Sequence, residues 1–239
     1  MLMTRIDHRL KPPRALLFDM DGVLVDSEEL HWESVLDVLR DHLGADAPSL
    51  PPRIGWGDHD LWEELRDQFK LKGTAIALTE ERGIWAIKRL MAKPPPAMPH
   101  ALDAIRDWRL LSPTLPLVVV SASPKNQMVQ SLASFTDHIG QPLFNAYISG
   151  VDDVSYNKPA PDAYLKAISQ LGLSPEECWI SEDSATGLTA ALASGAQVIA
   201  MGAHSASRAL IQRCHLSLNS LDELCDVWRS LTSQARSLT

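Results

Sequence analysis

Residues 18–27 read FDMDGVLVDS and place two carboxylates, Asp19 and Asp21, one residue apart. The run directly before them, residues 15–18, is apolar, which is typical of a short buried strand in a parallel sheet. In parallel α/β sheets, ligands bind beyond the carboxyl ends of the strands. The pair of acids is therefore predicted to lie where such a protein carries out its chemistry.

The composition is that of an ordinary globular chain. Its 239 residues fit one domain, or one domain with a smaller one inserted. A net charge of −8 argues against nonspecific nucleic-acid binding, which needs a basic face. The three cysteines form no CxxC pair, and no apolar run approaches the ~18 residues of a membrane span. Since the first residues also lack a signal-peptide pattern, we expect a soluble, cytoplasmic protein with no membrane partner.

The order of predicted elements indicates an α/β fold. After the first strand the chain has helical patterns only, with helices expected over 61–71 and 79–91, until KPPPAMP at 93–99 interrupts them. From residue 100 onward, helices alternate with apolar strands, expected at 117–122, 146–150, 178–183, 197–201 and within 215–220. We predict a Rossmann-like, doubly wound parallel sheet formed by residues 1–26 and 96–239, with an inserted α-helical domain at 27–95.

Polar residues follow several of these strands. Ser121 and Ala122 end the second, Lys158 lies in a loop after the third, and Glu182 and Asp183 end the fourth. A single acid after a strand is usually a helix N-cap. We call the edge of the sheet formed by the carboxyl ends of its strands the rim. Four strand ends that bring polar groups to this rim are not explained by caps, so we expect a functional site there.

The acids at this rim are expected to repel one another. Two like charges ~4 Å apart repel by about 4 kcal/mol at an effective dielectric constant of ~20. Either some of the carboxyl groups are protonated or a cation lies among them. Oxygen ligands without a nearby His or Cys suit Mg²⁺. With Lys158 and hydroxyl groups beside it, such a cation forms a site for phosphate.

The opening pair of acids then has a chemical role. An aspartate can attack phosphorus and form an aspartyl-phosphate. Asp19 is expected to attack, while Asp21 protonates the leaving alkoxide and later deprotonates the attacking water. Gly22 lets the backbone turn tightly and present N–H groups to the phosphate.

Four segments in this order carry a resemblance to a known family. They are FDMDGVLVDSE (18–28), Ser121 in VVVSAS, NKPAPDAYLKA (157–167) and EDSATG (182–187). Over nearly its whole length the chain resembles the haloacid dehalogenase superfamily, in particular its phosphatase and beta-phosphoglucomutase-like branch. Members that cleave carbon–halogen bonds lack the second aspartate and need no metal. The presence of Asp21 together with Asp183 therefore favours phosphoryl transfer.

The resemblance implies roles for individual residues. Asp19 is implied as the nucleophile and Asp21 as the general acid and base. Mg²⁺ is implied to be held by the Asp19 side chain, the Asp21 backbone carbonyl and Asp183, with help from Glu182. The implied phosphate-binding residues are Gly22, Ser121, Ala122, Asn126 and Lys158.

The resemblance also implies that 27–95 is a cap that closes over the site and selects the substrate. The cap residues expected to contact substrate are His31, Trp32, Gly55 and Trp56. A surface or capping role for His31, and packing of Trp56 within the cap, are the alternatives.

The cap loop ranks the possible reactions. Beta-phosphoglucomutase-like members resemble KGVSRED here, whereas this chain has Ile54 and Asp58 at the lysine and arginine positions, with Arg53 displaced by one residue. An acid in place of an anion clamp disfavours a second phosphate. We therefore expect a phosphatase for a small phosphomonoester, such as a sugar phosphate or phosphoglycolate. A sugar phosphate mutase and a non-catalytic phosphometabolite-binding relative are the alternatives. The acidic surface and the single cap favour a monomer.

Overall fold

The computed structural model describes residues 10–53, 58–203 and 206–237. The chain divides into two compact units. We call Met1–Asp26 together with Ala97–Thr239 the core unit, and Ser27–Pro96 the helical unit. The helical unit is therefore inserted into the core unit shortly after the first strand.

The core unit is built on a parallel sheet with the strand order β3-β2-β1-β4-β5-β6. Its strands within the described residues are β1 (Ala15–Phe18), β2 (Leu117–Ser121), β3 (Ala146–Ser149), β4 (Cys178–Glu182), β5 (Gln197–Met201) and β6 (Leu216–Leu218). The sequence pattern predicted each of them, and the predicted Rossmann-like fold is confirmed. Because β1 is central, its carboxyl end lies between those of β2 and β4.

Helices cover both faces of the sheet. In the core unit these are α4 (Ala101–Leu111), α5 (Lys125–Ser131), α6 (Asp162–Gln170), α7 (Ala185–Ala193), α8 (Arg208–Ile211) and α9 (Leu221–Ser237). Phe18 packs into a cluster with Trp108 of α4, whereas its neighbour Leu17 packs into a second cluster with Tyr164 of α6. Successive side chains of a strand point to opposite faces, so β1 anchors both hydrophobic layers.

The helical unit contains three α-helices within its described residues: α1 (Glu28–Leu43), α2 (Asp58–Phe69) and α3 (Ala75–Ala92). They share a buried cluster that includes Leu39, Trp62 and Leu78. Helix α3 begins four residues before the predicted residue 79, because the Thr74 hydroxyl accepts the N–H of Ala77 (3.2 Å) and caps it. Helix α2 likewise begins at residue 58 rather than 61, and ends at 69.

Charged side chains join α1 to α3. We call Glu33, Asp37, Arg40 and Arg89 the arginine cluster. Asp37 is buried and accepts from Arg40 Nη1 (2.7 Å), Arg89 Nη2 (2.9 Å) and Arg89 Nε (2.5 Å). Burial alone raises the pKa of Asp37, but the hydrogen bonds from Arg89 and Arg40 bring it below its ordinary value. The cluster thus stabilises an ionised aspartate inside the helical unit.

Within the part of the chain that the structure describes, no helix combines the length and the apolar character needed to cross a lipid bilayer.

Candidate active site

The carboxyl end of β1 leads directly into a tight turn. Asp19 donates its backbone N–H to Ser181 O of β4 (2.9 Å), which continues the strand pairing by one residue. Gly22 has φ of 79° and donates its N–H to Val25 O (2.9 Å). A Cβ atom added at Gly22 would lie 2.1 Å from Asp183 Oδ2. The turn therefore needs glycine both for its backbone conformation and for the close approach of Asp183.

Lys158 lies at the centre of the rim, and its side chain is only 5% exposed. Its Nζ donates to Asp19 Oδ1 (2.6 Å), Glu182 Oε1 (2.6 Å) and Val120 O (3.0 Å). An ammonium has three protons, so each one has an acceptor. Although burial alone lowers the pKa of Lys158, the charges of Asp19 and Glu182 raise it well above its usual value, and the side chain is a permanent cation.

Glu182 is fully buried at the end of β4. Its Oε1 accepts from Tyr164 OH (2.6 Å) as well as from Lys158, and its Oε2 accepts from Ser184 Oγ (3.3 Å). A Cβ atom added at Gly187 would lie 2.0 Å from the Glu182 carboxylate. Donors on one side and bare backbone on the other fix this carboxylate in one position.

Three carboxylates of the rim form a potential metal site. Each of Asp19, Glu182 and Asp183 offers one oxygen, and these oxygens lie within 4.8 Å of one another. Burial, and then the charge of Glu182, raise the pKa of Asp19 well above its usual range and that of Asp183 to about 7. A hard divalent cation such as Mg²⁺ prefers oxygen ligands, and its charge would favour the ionised form of these crowded carboxylates. The three residues therefore fit a Mg²⁺ site.

Ser121 connects the rim to the end of β2. It is buried, and its hydroxyl contacts Asp21 Oδ2 (3.5 Å) and accepts the N–H of Ser123 (3.0 Å). The structure thus brings together Asp19, Asp21, Ser121 and Lys158, which are far apart in the sequence. Ala122 follows as an exposed residue of the same loop. Asn126 is also exposed and uses its Oδ1 to accept the N–H of Gln127 (2.8 Å) in its own helix, α5.

The sequence analysis missed two polar residues around Lys158. Tyr164 of α6 reaches Glu182, as described above. Asn157 donates from Nδ2 to Ala122 O (3.1 Å) and accepts the Lys158 N–H at Oδ1 (2.8 Å), so it ties the loop after β2 to the lysine loop. Both residues lie in the quoted segment 157–167, but a linear pattern does not show where their side chains point.

The helical unit places two of the four predicted cap residues. Trp32 is not a surface residue: it is 8% exposed, packs in the buried cluster and donates Nε1 to Leu50 O (3.1 Å). Within the helical unit it therefore has a packing role, and its contact with substrate stays a prediction. His31 Nδ1 lies 3.1 Å from Arg82 Nη1. Gly55 and Trp56 lie outside the described residues.

Arg53, the cap-loop cation that is displaced by one residue from the lysine position, forms an ion pair within the helical unit. Arg53 Nη1 lies 2.5 Å from Glu64 Oε1. Its charge is balanced by this carboxylate inside the helical unit.

Two named proteins share most of their length with this chain. Hexitol phosphatase B of Escherichia coli (strain K12) is 30% identical over 220 residues, which are 88% of this chain and 93% of that protein. The Phosphorylated carbohydrates phosphatase of Thermotoga maritima is 26% identical over 227 residues, covering 91% of this chain and 99% of that protein. This chain is similar to both over most of its length.

A solved structure shows the same fold. CbbY from Rhodobacter sphaeroides, solved in complex with phosphate, superposes with a TM-score of 0.66 at 23% identity, over 89% of this chain and 96% of that one. A family model described as haloacid dehalogenase-like hydrolase matches residues 13–195. This range includes every rim residue described above. The chain therefore belongs to the haloacid dehalogenase-like hydrolase family, as its four motifs predict, and is an enzyme of the hydrolase class.

Proposed function

We propose that this protein is a Mg²⁺-dependent phosphatase that hydrolyses a small sugar phosphomonoester through an aspartyl-phosphate at Asp19. The observation that carries the proposal is the contact of a buried, permanently charged Lys158 with Asp19, inside a ring of carboxylates. A nucleophilic carboxylate, a fixed cation and a metal-binding acid cluster are what phosphoryl transfer to an aspartate requires. The named relatives act on phosphorylated carbohydrates and hexitol phosphates, which supports the substrate class.

Metal binding falls to residues already at the rim. The side chains of Asp19 and Asp183 and the main-chain carbonyl of Asp21 are the proposed holders of Mg²⁺, with Glu182 as a further candidate. The bound cation would neutralise phosphoryl oxygens and relieve the repulsion among the carboxylates. Burial raises the pKa values of Asp19 and Asp183, and the neighbouring charge of Glu182 raises them further.

The first step is attack by Asp19. One of its carboxylate oxygens forms a bond to phosphorus while the ester oxygen departs, and Asp21 gives that oxygen its proton. In the second step water attacks the aspartyl-phosphate, its proton passes to Asp21, and Asp19 is released together with inorganic phosphate. This cycle requires Asp21 to carry a proton when the ester oxygen departs, and its side chain lies 3.5 Å from Ser121 Oγ.

Phosphate recognition is assigned to Lys158, Ser121 and the backbone after β1 and β2. All three acceptors of the Lys158 ammonium are protein atoms in this structure. The ammonium must therefore exchange or share one of them to bind a phosphoryl oxygen. Gly22, Ala122 and Asn126 remain predicted phosphate-binding residues. In this structure the Gly22 N–H and the Asn126 side-chain carbonyl make hydrogen bonds within the protein.

A monophosphate is favoured over a bisphosphate as the substrate. Arg53, the cation nearest to the family's clamp position, is paired with Glu64, and position 58 carries an acid. The two positions that carry cations in the beta-phosphoglucomutase-like pattern are Ile54 and Asp58 here, which disfavours recognition of a second phosphate. We also propose that the protein acts in the cytoplasm as a monomer, without nucleic acid. A net charge of −8 and three buried free cysteines support this assignment.

The test is phosphate release from a panel of sugar phosphates, phosphoglycolate and nucleotides, with Mg²⁺ and with EDTA, using Asp19→Asn as the blank. Metal-dependent release that is absent in the blank is the expected result. Isomerisation of a sugar 1-phosphate to its 6-phosphate without phosphate release would instead identify a mutase. Tight binding of a phosphometabolite without any turnover would identify a binding protein.

A further inference from the structure

One buried polar group beside the site has no part in the mechanism above. Tyr164 of α6 is fully buried, yet its hydroxyl donates to Glu182 Oε1 at 2.6 Å. Its ring lies 4.9 Å from Lys158 Nζ, within cation–π distance. The same side chain thus contacts both members of the buried Lys158–Glu182 ion pair.

The Glu182 carboxylate needs these donors. A fully buried carboxylate is costly unless its oxygens are hydrogen-bonded, and removal of a partner leaves charge uncompensated. Oε1 accepts from Lys158 and Tyr164, while Oε2 faces Ser184 Oγ. The carboxylate also lies close to the backbone of Gly187, where an added Cβ would be 2.0 Å from it.

We propose that Tyr164 is a positioning residue that holds Glu182, and through it holds the Lys158 ammonium in the place where phosphate binds. Glu182 then serves as the anchor of Lys158, because its Oε1 accepts from both the ammonium and the Tyr164 hydroxyl. This inference rests on the proposed function, in which Lys158 binds the phosphoryl group.

Removal of the hydroxyl has a specific consequence. In Tyr164→Phe the ring stays beside Lys158, but Glu182 Oε1 loses one of its two donors. The ammonium is then expected to move toward the under-satisfied carboxylate, and so away from the phosphate. Hydrogen bonds to charged groups are strong enough for their loss to change an equilibrium about 10-fold.

The experiment compares Tyr164→Phe with Tyr147→Phe, the same chemical change in a partly buried tyrosine whose ring packs on Phe144. Calorimetry measures the dissociation constants of inorganic phosphate and of Mg²⁺, and turnover gives kcat and KM. In Tyr164→Phe we expect phosphate affinity and kcat/KM to fall about 10-fold, with Mg²⁺ affinity within about twofold of wild type. Tyr147→Phe should match wild type in all of these quantities.

Two results would overturn the inference. One is an unchanged phosphate affinity in Tyr164→Phe, which would make the hydroxyl purely structural. The other is a loss of Mg²⁺ affinity with phosphate affinity retained, which would make Glu182 a metal ligand. A double variant with Glu182→Gln adds a further check, because the effect of Tyr164→Phe should largely vanish there.

Failure of the inference differs from failure of the proposed function. A wild-type protein that releases no phosphate from any ester contradicts the function. An active wild-type protein whose Tyr164→Phe variant behaves identically contradicts the inference alone. Because phosphate binding is measured directly, the comparison does not depend on finding the best substrate.

Discussion

The two units of this protein each contain a cluster of charged side chains built around a buried carboxylate, Glu182 in the core unit and Asp37 in the helical unit, and the charges of the two clusters are balanced differently. At the rim of the core unit, Lys158 contacts two carboxylates, and further acids lie beside it. We call Asp19, Asp21, Lys158, Glu182 and Asp183 the rim cluster. In the arginine cluster of the helical unit, two guanidinium groups match two carboxylates.

The pKa values of the buried aspartates in the two clusters are shifted in opposite directions. Burial and the charge of Glu182 raise the pKa of Asp19, whereas the hydrogen bonds of Arg89 and Arg40 outweigh burial and lower that of Asp37. The arginine cluster, in which opposite charges are matched, is typical of a structural ion-pair network. The rim cluster has four carboxyl groups around one lysine, and a bound cation would stabilise their ionised forms. The comparison teaches that charge imbalance, more than burial, distinguishes a candidate reaction site from a structural ion pair.

The largest effect is expected for Asp19→Asn. Loss of the nucleophile should lower kcat by at least about 10³-fold, because an amide cannot replace the carboxylate that forms the proposed phosphoenzyme. Steady-state phosphate release measures this loss. The melting temperature should not fall, since the variant removes one of several repelling carboxylates. An unfolded variant, or one with near wild-type activity, would break the distinction between the two clusters.

A smaller loss is expected for Gly187→Ala. The added Cβ would lie 2.0 Å from the Glu182 carboxylate and must displace it. Displacement of a site group by about 1 Å can reduce kcat/KM about 100-fold. Alanine is intrinsically better than glycine in a helix by about 1 kcal/mol, so any measured destabilisation reports the clash itself. Wild-type kcat/KM in this variant would show that Glu182 is free to move.

The arginine cluster should respond to mutation with stability rather than chemistry. Asp37→Asn removes the charge and one of the two oxygens that accept from Arg40 and Arg89, and should lower the free energy of unfolding by about 2 kcal/mol. Glu33→Gln is the matched control. Since Glu33 is about one-third exposed, its loss should cost less than about 1 kcal/mol. Urea denaturation separates the two variants, and equal effects would show that burial of Asp37 is unimportant.

The pH dependence gives the smallest effect. Because the pKa of Asp37 is lower in the folded state, its contribution to stability is present above the unfolded value of ~4 and is lost as the pH falls through the folded value. The stability gap between wild type and Asp37→Asn should therefore shrink from pH 7 to pH 3. Thermal unfolding at both pH values measures the gap. A gap that stays constant over this interval would contradict the assignment.

Much of the fold was predictable because strands and their following polar residues are adjacent in the sequence. Asp19 and Glu182 each end a short apolar run, and parallel pairing then brings them to one rim. Helix limits were less accurate, since the Thr74 cap competes with the hydrophobic spacing that suggested a later start for α3.

Side-chain direction was not predictable. From the sequence, Trp32 is an aromatic residue at the start of a helix and was expected to contact substrate. Only the structure shows that its side chain is buried within the helical unit. Tyr164 reads as one apolar position of an amphipathic helix, and only the approach of α6 to β4 shows that its hydroxyl reaches Glu182. The four motifs therefore indicate the rim, whereas the groups that hold its members in place required the structure.

The most direct test of the central claim is thermal unfolding of EDTA-treated protein with and without Mg²⁺, for wild type, Asp183→Asn and Asp37→Asn. Binding to the native state alone adds about 2.7 kcal/mol of stability at a Mg²⁺ concentration 100 times the dissociation constant. We expect this gain in wild type and in Asp37→Asn, but not in Asp183→Asn, which lacks a proposed ligand of Mg²⁺. Equal stabilisation of all three proteins, or none in wild type, would contradict the central claim.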